Sequence, residues 1–255
     1  MKPTERILFA DVETFPVLMY AWQIWEANAL RVVENTSICS WSVKWYGGKQ
    51  TTRCLADYKG YKPNSRDDRR LMEELYPILE KAEVVVGHNG DKFDIKKINY
   101  RFMVHGMTPP RPYAQVDTLK EVRKISSFDS NRLNDLAKLL TQDEKMRTGG
   151  ADLWFDCLEG DLSAWKHMKE YNAKDVRLLE DVYLKIRPWM KQHPNLATAY
   201  GPDMCPRCGS AQIKKDGVHY AKTTAYQMYE CSVCGKYIRG TENVIKKEDK
   251  PYVTI

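Results

Sequence analysis

Four cysteines near the C-terminal end constrain this chain more tightly than any other feature. Cys205-Pro206-Arg207-Cys208 and Cys231-Ser232-Val233-Cys234 are two Cys-x2-Cys pairs separated by 22 residues. Such pairs present four soft thiolates in two knuckles, the donor set a tetrahedral Zn2+ takes. An all-cysteine shell leaves no open position for catalysis. Gly209 and Gly235 follow the second cysteine of each pair and permit the tight knuckle turn. Between the pairs, Asp216-Gly217 separates residues 213–215 from 218–220 and predicts a hairpin turn. The expectation is a small β domain, a zinc ribbon, with one structural Zn2+ held by Cys205, Cys208, Cys231 and Cys234. Disulfides and a duplicated redox pair are the disfavoured alternatives. Cys39, Cys54 and Cys157 lack this spacing and are expected as buried small apolar residues.

At 255 residues the chain has room for one large α/β domain besides this appendage. Residues 6–14 read as a buried strand, with Ile7, Phe9, Asp11 and Glu13 on one face by the two-residue period. Residues 17–25 and 37–45 are β-rich and aromatic, and predict two further strands beside the first and antiparallel to it. Helices are predicted over 64–81, 94–104, 131–140 and 162–190, with Pro77 kinking or shortening the first. Short strands are predicted over 83–87 and 115–119. Residues 141–160 carry few periodic cues and read as a loop. His193-Pro194 through Gly201-Pro202 is punctuation. The expected domains are therefore 1–198, the ribbon at 199–240, and a C-terminal tail at 241–255. Strands followed by alternating helices and strands predict an α/β fold with a mixed sheet flanked by helices.

Composition narrows the setting. No apolar stretch is long enough to cross a membrane, and the first residues lead into the strand without a signal-like apolar region, so a cytoplasmic protein without a membrane partner is expected. The net charge is +6, from 40 Lys and Arg against 34 Asp and Glu, a mild hint of a polyanionic partner. Residues 201–255 hold nine basic against six acidic side chains, with tyrosines interleaved. That mixture suits either a nucleic-acid contact or a small tyrosine-packed ribbon kept soluble by lysines.

The chemistry-bearing residues of the larger domain are acids. Phosphodiester hydrolysis needs an activated water and a stabilised leaving oxygen, which two divalent ions supply. Mg2+ takes oxygen ligands, so such a site must gather carboxylates. Asp11 and Glu13, two apart on a strand, aim at one point, and Ile7-Leu8-Phe9-Ala10 before them implies burial. Asp94 sits at a predicted helix start, where a capping role is the bland alternative. Asp175 neighbours the inward stripe of the last helix, and Tyr171 lies one turn earlier on the same face. His88 and Asp117 are expected in structural roles, the latter as a turn or cap residue. Asp181 has no Tyr four residues before it and is a decoy.

In this order the three segments resemble the Exo I, II and III motifs of DEDD 3′–5′ exonucleases. Asp11-Val12-Glu13 matches Asp-x-Glu, Asn89 through Phe93-Asp94 matches Asn-x3-Phe-Asp, and Tyr171 with Asp175 matches Tyr-x3-Asp. Glu170 occupies the place where a histidine subgroup carries His, so the resemblance is to the tyrosine subgroup, similar to the proofreading domains of family B DNA polymerases. The likeness covers residues 5–190. It implies a ribonuclease H-like fold and two Mg2+ or Mn2+ ions held by Asp11, Glu13, Asp94 and Asp175. It further implies that Tyr171 orients the attacking water and that Thr14, Asn89 and Phe93 line the 3′-terminal nucleotide. The implied activity is release of nucleoside 5′-monophosphates from single-stranded 3′ ends, DNA favoured over RNA, with replication or repair proteins as candidate partners. The rivals are a RuvC-like or transposase-related endonuclease and a non-catalytic nucleic-acid-binding replication accessory factor. In the RuvC-like group the glutamate is expected on a different strand from the first Asp.

Overall fold

The computed structural model describes residues 6–25, 28–246 and 248. In chain order its elements are β1 (Ile7–Phe15), β2 (Leu18–Tyr20), β3 (Arg31–Glu34), β4 (Ser37–Trp45), β5 (Gln50–Cys54), α1 (Arg69–Lys81), β6 (Val84–Gly87) and α2 (Asp94–Val104). There follow β7 (Ala114–Asp117), α3 (Thr118–Ile125), α4 (Leu133–Thr141), α5 (Asp152–Glu159), α6 (Leu162–Ile186), α7 (Ala197–Tyr200), β8 (Ile213–Tyr220), β9 (Ala225–Cys231) and β10 (Tyr237–Asn243).

The central sheet has the order β5-β4-β1-β6-β7. β1 pairs antiparallel with β4 and parallel with β6, which pairs parallel with β7. This is the mixed, helix-flanked sheet that the element order predicts. The alternation along β1 divides the core. Leu8, Ala10 and Val12 pack with Trp41, Val43 and the apolar stripes of α1 and α2. Ile7 and Phe9 point the other way, among Val84, Val86 and the inner faces of α3, α4 and α6. The Phe9 and Tyr183 rings meet edge-on at 5.2 Å, which seats α6 against β1. A buried Asp68 ties the opposite layer together. Its carboxylate accepts from the Ile38 amide at 2.8 Å and from Arg101 at 2.7 and 2.8 Å.

Several sequence expectations are corrected. Residues 17–25 do not form a strand beside β1. Only Leu18–Tyr20 is extended, and it pairs with β3 in a separate two-stranded ribbon. β5 and α3 were not anticipated. The supposed loop at 141–160 contains α5, an eight-residue helix whose buried residues are Leu153 and Cys157. The first helix begins at Arg69 rather than 64, because Asp67 accepts from the Arg69 amide while Asp68 turns inward. It continues through Pro77. The carbonyl that Pro77 cannot serve belongs to Glu73, an exposed residue. The last helix ends at Ile186.

The C-terminal unit is a three-stranded antiparallel sheet, β10-β9-β8. Asp216-Gly217 is not its hairpin turn. β8 runs through both residues, and between Lys215 and Val218 it carries one residue more than β9, a bulge with Gly217 at φ 72°. A Gly at positive φ serves a bulge as well as a turn. β10 reaches Asn243, past the expected boundary at 240. The expected tail beyond 248 lies outside the described residues. The sheet meets the rest of the chain at Arg207, whose buried guanidinium donates to the Met190 carbonyl at 2.8 Å. Among the described residues no helix is long and apolar enough to cross a membrane.

Candidate active site and zinc site

Asp11 and Glu13 continue the Ile7–Phe9 face of β1 and therefore lie under α6. From Phe9 to Glu13 the strand advances roughly 13 Å. From Tyr183 back to Asp175 the helix retreats roughly 12 Å. Anchored at the Phe9–Tyr183 contact, the two elements bring their acids to the same level. Asp11, Glu13 and Asp175 each present a carboxylate oxygen within 4.8 Å of the others. Between Glu13 and Thr14 the pairing with β4 slips by one residue, with Cys39 of β4 as the extra residue, so the partner strand is bulged beside the site.

Asp94 opens α2 and is buried. It stands outside the three-acid group, and its Oδ1 accepts the Val12 amide at 3.1 Å. It nonetheless repels the Asp11 carboxylate. Thr14 is half-buried on β1. Asn89 adopts φ 64°, donates its amide to Asp117 at 2.9 Å, and accepts from the Lys92 and Phe93 amides at 3.1 Å. The turn this makes holds Phe93 40% exposed. The turn is tight, since a Cβ on Gly90 would stand 3.2 Å from the Gly87 Cα.

The Tyr171 hydroxyl favours the charged form of Asp175, and its ring packs edge-on against Trp154 at 6.1 Å. Trp154, on α5, favours the charged form of Glu13. Two contributors escape the motif reading. Asn172 is buried, donates Nδ2 to Asp11 Oδ2 at 2.6 Å, and accepts from the Ser40 hydroxyl at 3.0 Å. Its spacing three residues before Asp175, on the same helix face, could have found it. Lys145 lies between α4 and α5, and its ammonium meets Asp175 Oδ2 at 2.5 Å and the Tyr171 ring at 5.5 Å. No pattern in the sequence marks it.

Crowding governs the electrostatics. Burial pushes the Asp11 carboxyl well above the ordinary range, and Asp94, Glu13 and Asp175 add repulsion. Burial, with Asp175 next, lifts Glu13 to about 8. Burial lifts Asp94 to about 6, against hydrogen bonds from backbone amides. Asp175 is also raised by burial, with Lys145 and Tyr171 opposing. Burial works against the Lys145 charge, yet Asp175, Asp11 and Glu13 together hold its ammonium above the ordinary value. Asp175 Oδ1 is buried without a hydrogen-bond partner. Mutually repelling carboxylates with an unpartnered oxygen are a donor set that a hard divalent cation fits.

The lesser candidates fall into structural roles. Asp117 caps α3 by accepting from the Leu119 and Lys120 amides at 3.0 and 3.4 Å. His88 is fixed between the Thr118 hydroxyl, 2.9 Å away, and the Asn131 carbonyl at 3.0 Å, and burial lowers its pKa. Asp181 is exposed.

In the ribbon, Cys205, Cys208, Cys231 and Cys234 converge and are buried. Gly209 at φ 72° donates to the Cys205 carbonyl at 2.8 Å, and Gly235 at φ 69° donates to that of Cys231 at 2.9 Å. The Cys205–Cys234 and Cys208–Cys231 sulfurs are 3.7 and 3.6 Å apart. A disulfide requires about 2.05 Å. Zn–S bonds of about 2.3 Å in a tetrahedron put sulfurs roughly 3.8 Å apart. The spacing therefore fits zinc. Cys39, Cys54 and Cys157 are free and buried, as expected.

Comparison with known proteins places the larger domain. A family model described as RNase_H superfamily matches residues 25–187. That span holds Asp94, Tyr171 and Asp175 and begins after Asp11 and Glu13. No curated protein matches the chain. Among solved structures, a family B DNA polymerase from the hyperthermophilic archaeon Pyrobaculum calidifontis is similar with a TM-score of 0.49 at 16% identity, over 86% of this chain and 31% of that one.

Proposed function

The chain belongs to the ribonuclease H superfamily, and from that premise we propose that it is a metal-dependent 3′–5′ exonuclease of the tyrosine subgroup, acting on single-stranded ends, DNA in preference to RNA. Superfamily membership supports nuclease chemistry and a ribonuclease H-like fold. The finer reading rests on one observation, the convergence of Asp11, Glu13 and Asp175 beneath α6. Two of these acids share a strand, as Asp-x-Glu requires and as the RuvC-like arrangement does not.

Asp11, Glu13 and Asp175, with Asp94 beside them, would hold the divalent ions. Bound there, such ions lower the pKa of water and offset charge on the leaving oxygen. The side chains around them do the positioning. Asn172 fixes the Asp11 carboxylate through its 2.6 Å hydrogen bond. The Tyr171 hydroxyl orients the attacking water. Lys145 counters excess negative charge beside Asp175. Thr14, Asn89 and Phe93 receive the terminal nucleotide, with the exposed Phe93 ring available to a base. The ribbon's zinc is structural, and the chain divides into a catalytic domain, the ribbon and a tail.

Purified protein with Mg2+ or Mn2+ tests this on end-labelled linear and on circular single strands of DNA and RNA. Stepwise shortening from the 3′ end with the circle left intact is expected. Cleavage of the circle would favour the endonuclease reading, and binding without cleavage the accessory one.

A further inference from the structure

The central antiparallel pair, β1 and β4, is joined through residues 16–36, far more chain than a hairpin turn needs. Every described residue from Pro16 to Asn35 is exposed. The excursion is nevertheless apolar and aromatic. Trp22, Ile24 and Trp25 are 89%, 88% and 84% exposed, and Tyr20 is 63% exposed. A two-stranded ribbon whose described residues are all exposed is marginal by itself. Apolar surface concentrated in this way marks a contact face.

Its position selects the partner. β1, β6 and β7 run parallel, and their carboxyl ends carry Glu13, Asn89 and Asp117 on one rim of the sheet. In open α/β sheets ligands collect at that rim. The ribbon leaves the same rim, three residues beyond Glu13. Tyr20, seven residues past Glu13, lies within roughly 24 Å of it along an extended chain, about seven nucleotides at roughly 3.4 Å per stacked base. The base of the ribbon is fixed. Arg66 donates to the Pro16 carbonyl at 2.6 Å with its guanidinium 5.6 Å over the Phe15 ring, and Thr36 donates to the Phe15 carbonyl at 2.8 Å. Arg66 therefore grips the chain at residues that lie in sequence between the acids and the aromatic side chains.

We infer that the 16–36 ribbon is a stacking platform for the single strand whose 3′ end enters the carboxylate site, with Tyr20, Trp22 and Trp25 taking bases several nucleotides upstream. Aromatic faces serve any base, so this contact lengthens the footprint without reading sequence. The inference rests on the nuclease reading and extends it to substrate length.

The test measures binding without turnover, in the full chain carrying Asp11→Asn. Anisotropy is followed on a labelled trinucleotide and on a single-stranded oligonucleotide long enough to reach Tyr20. Replacing both Trp22 and Trp25 by Ala is expected to weaken the long strand about tenfold or more and leave the trinucleotide unchanged. Replacing both by Phe, which keeps the rings, is expected to retain most of the affinity. Equal binding of the long strand by the parent and the Ala pair would overturn the inference, as would a Phe pair as weak as the Ala pair. Self-association abolished by the Ala pair, with strand binding intact, would also overturn it and assign the face to a second copy. Hydrolysis of the trinucleotide by the wild-type chain reports on the nuclease reading separately.

Discussion

The ribbon draws its four donors from two turns of one small sheet, whereas the carboxylates come from β1, α2 and α6, spread across residues 11–175. The thiols need only local chain geometry. Each knuckle closes through a glycine at positive φ, and the cluster is buried on all sides. The carboxylates need the whole domain, because the Phe9–Tyr183 contact must set α6 at the correct height over β1. A closed sulfur site can then stabilise a fold too small for a large core. An oxygen site with one face toward solvent can exchange water and substrate. Motif spacing in sequence reflects the same difference, compact for the thiols and dispersed for the carboxylates.

Removing one donor from each site breaks the comparison most directly. Asp175→Ala is expected to lower hydrolysis by at least about 10³-fold, more than the loss of a single donor to a developing charge costs, with oligonucleotide binding retained in an anisotropy assay. Cys205→Ser is expected to abolish stoichiometric zinc, read by metal analysis. It should leave hydrolysis of a trinucleotide within about threefold, because the ribbon contributes stability and not chemistry. Asn172→Ala keeps every proposed ligand and frees Asp11, so a loss of about 10- to 100-fold in metal-dependent rate is expected, visible as a higher Mn2+ requirement.

The smallest effect sharpens the electrostatic side. With divalent ions withheld, the Glu13 carboxyl titrates near 8 in the folded chain against 4.5 in a free side chain. The folded state therefore holds more protons between those values. Its contribution to stability is present below about 4.5 and lost as pH rises through about 8. Thermal unfolding should show the midpoint falling by a few degrees over that window, and Mg2+ should flatten the slope. A midpoint independent of pH would mean the acids do not repel as the geometry requires.

Much of this was legible because it is periodic or spaced. β1, α2 and α6 follow apolar repeats that only one face can bury, and the acids of β1 and α6 ride on those repeats. α5 escaped because Leu153 and Cys157 form a single i, i+4 pair, too short to show a period. The strand read at 17–25 failed for a different reason. Its β-rich composition describes an exposed ribbon, and propensity does not say whether a strand finds a sheet. Asp216-Gly217 misled because positive φ is shared by turns and bulges. Lys145 reaches Asp175 from an aperiodic segment, through tertiary geometry alone.

In the proposed function Asp11, Glu13 and Asp175 jointly bind the divalent ion that acts on the phosphodiester. Anomalous scattering from crystals grown with Mn2+ tests it without reference to rate. A peak bonded to oxygens of all three residues, with the Lys145 ammonium withdrawn from Asp175, is the predicted result. Manganese bound elsewhere, with these carboxylates still facing only Lys145, would contradict the account.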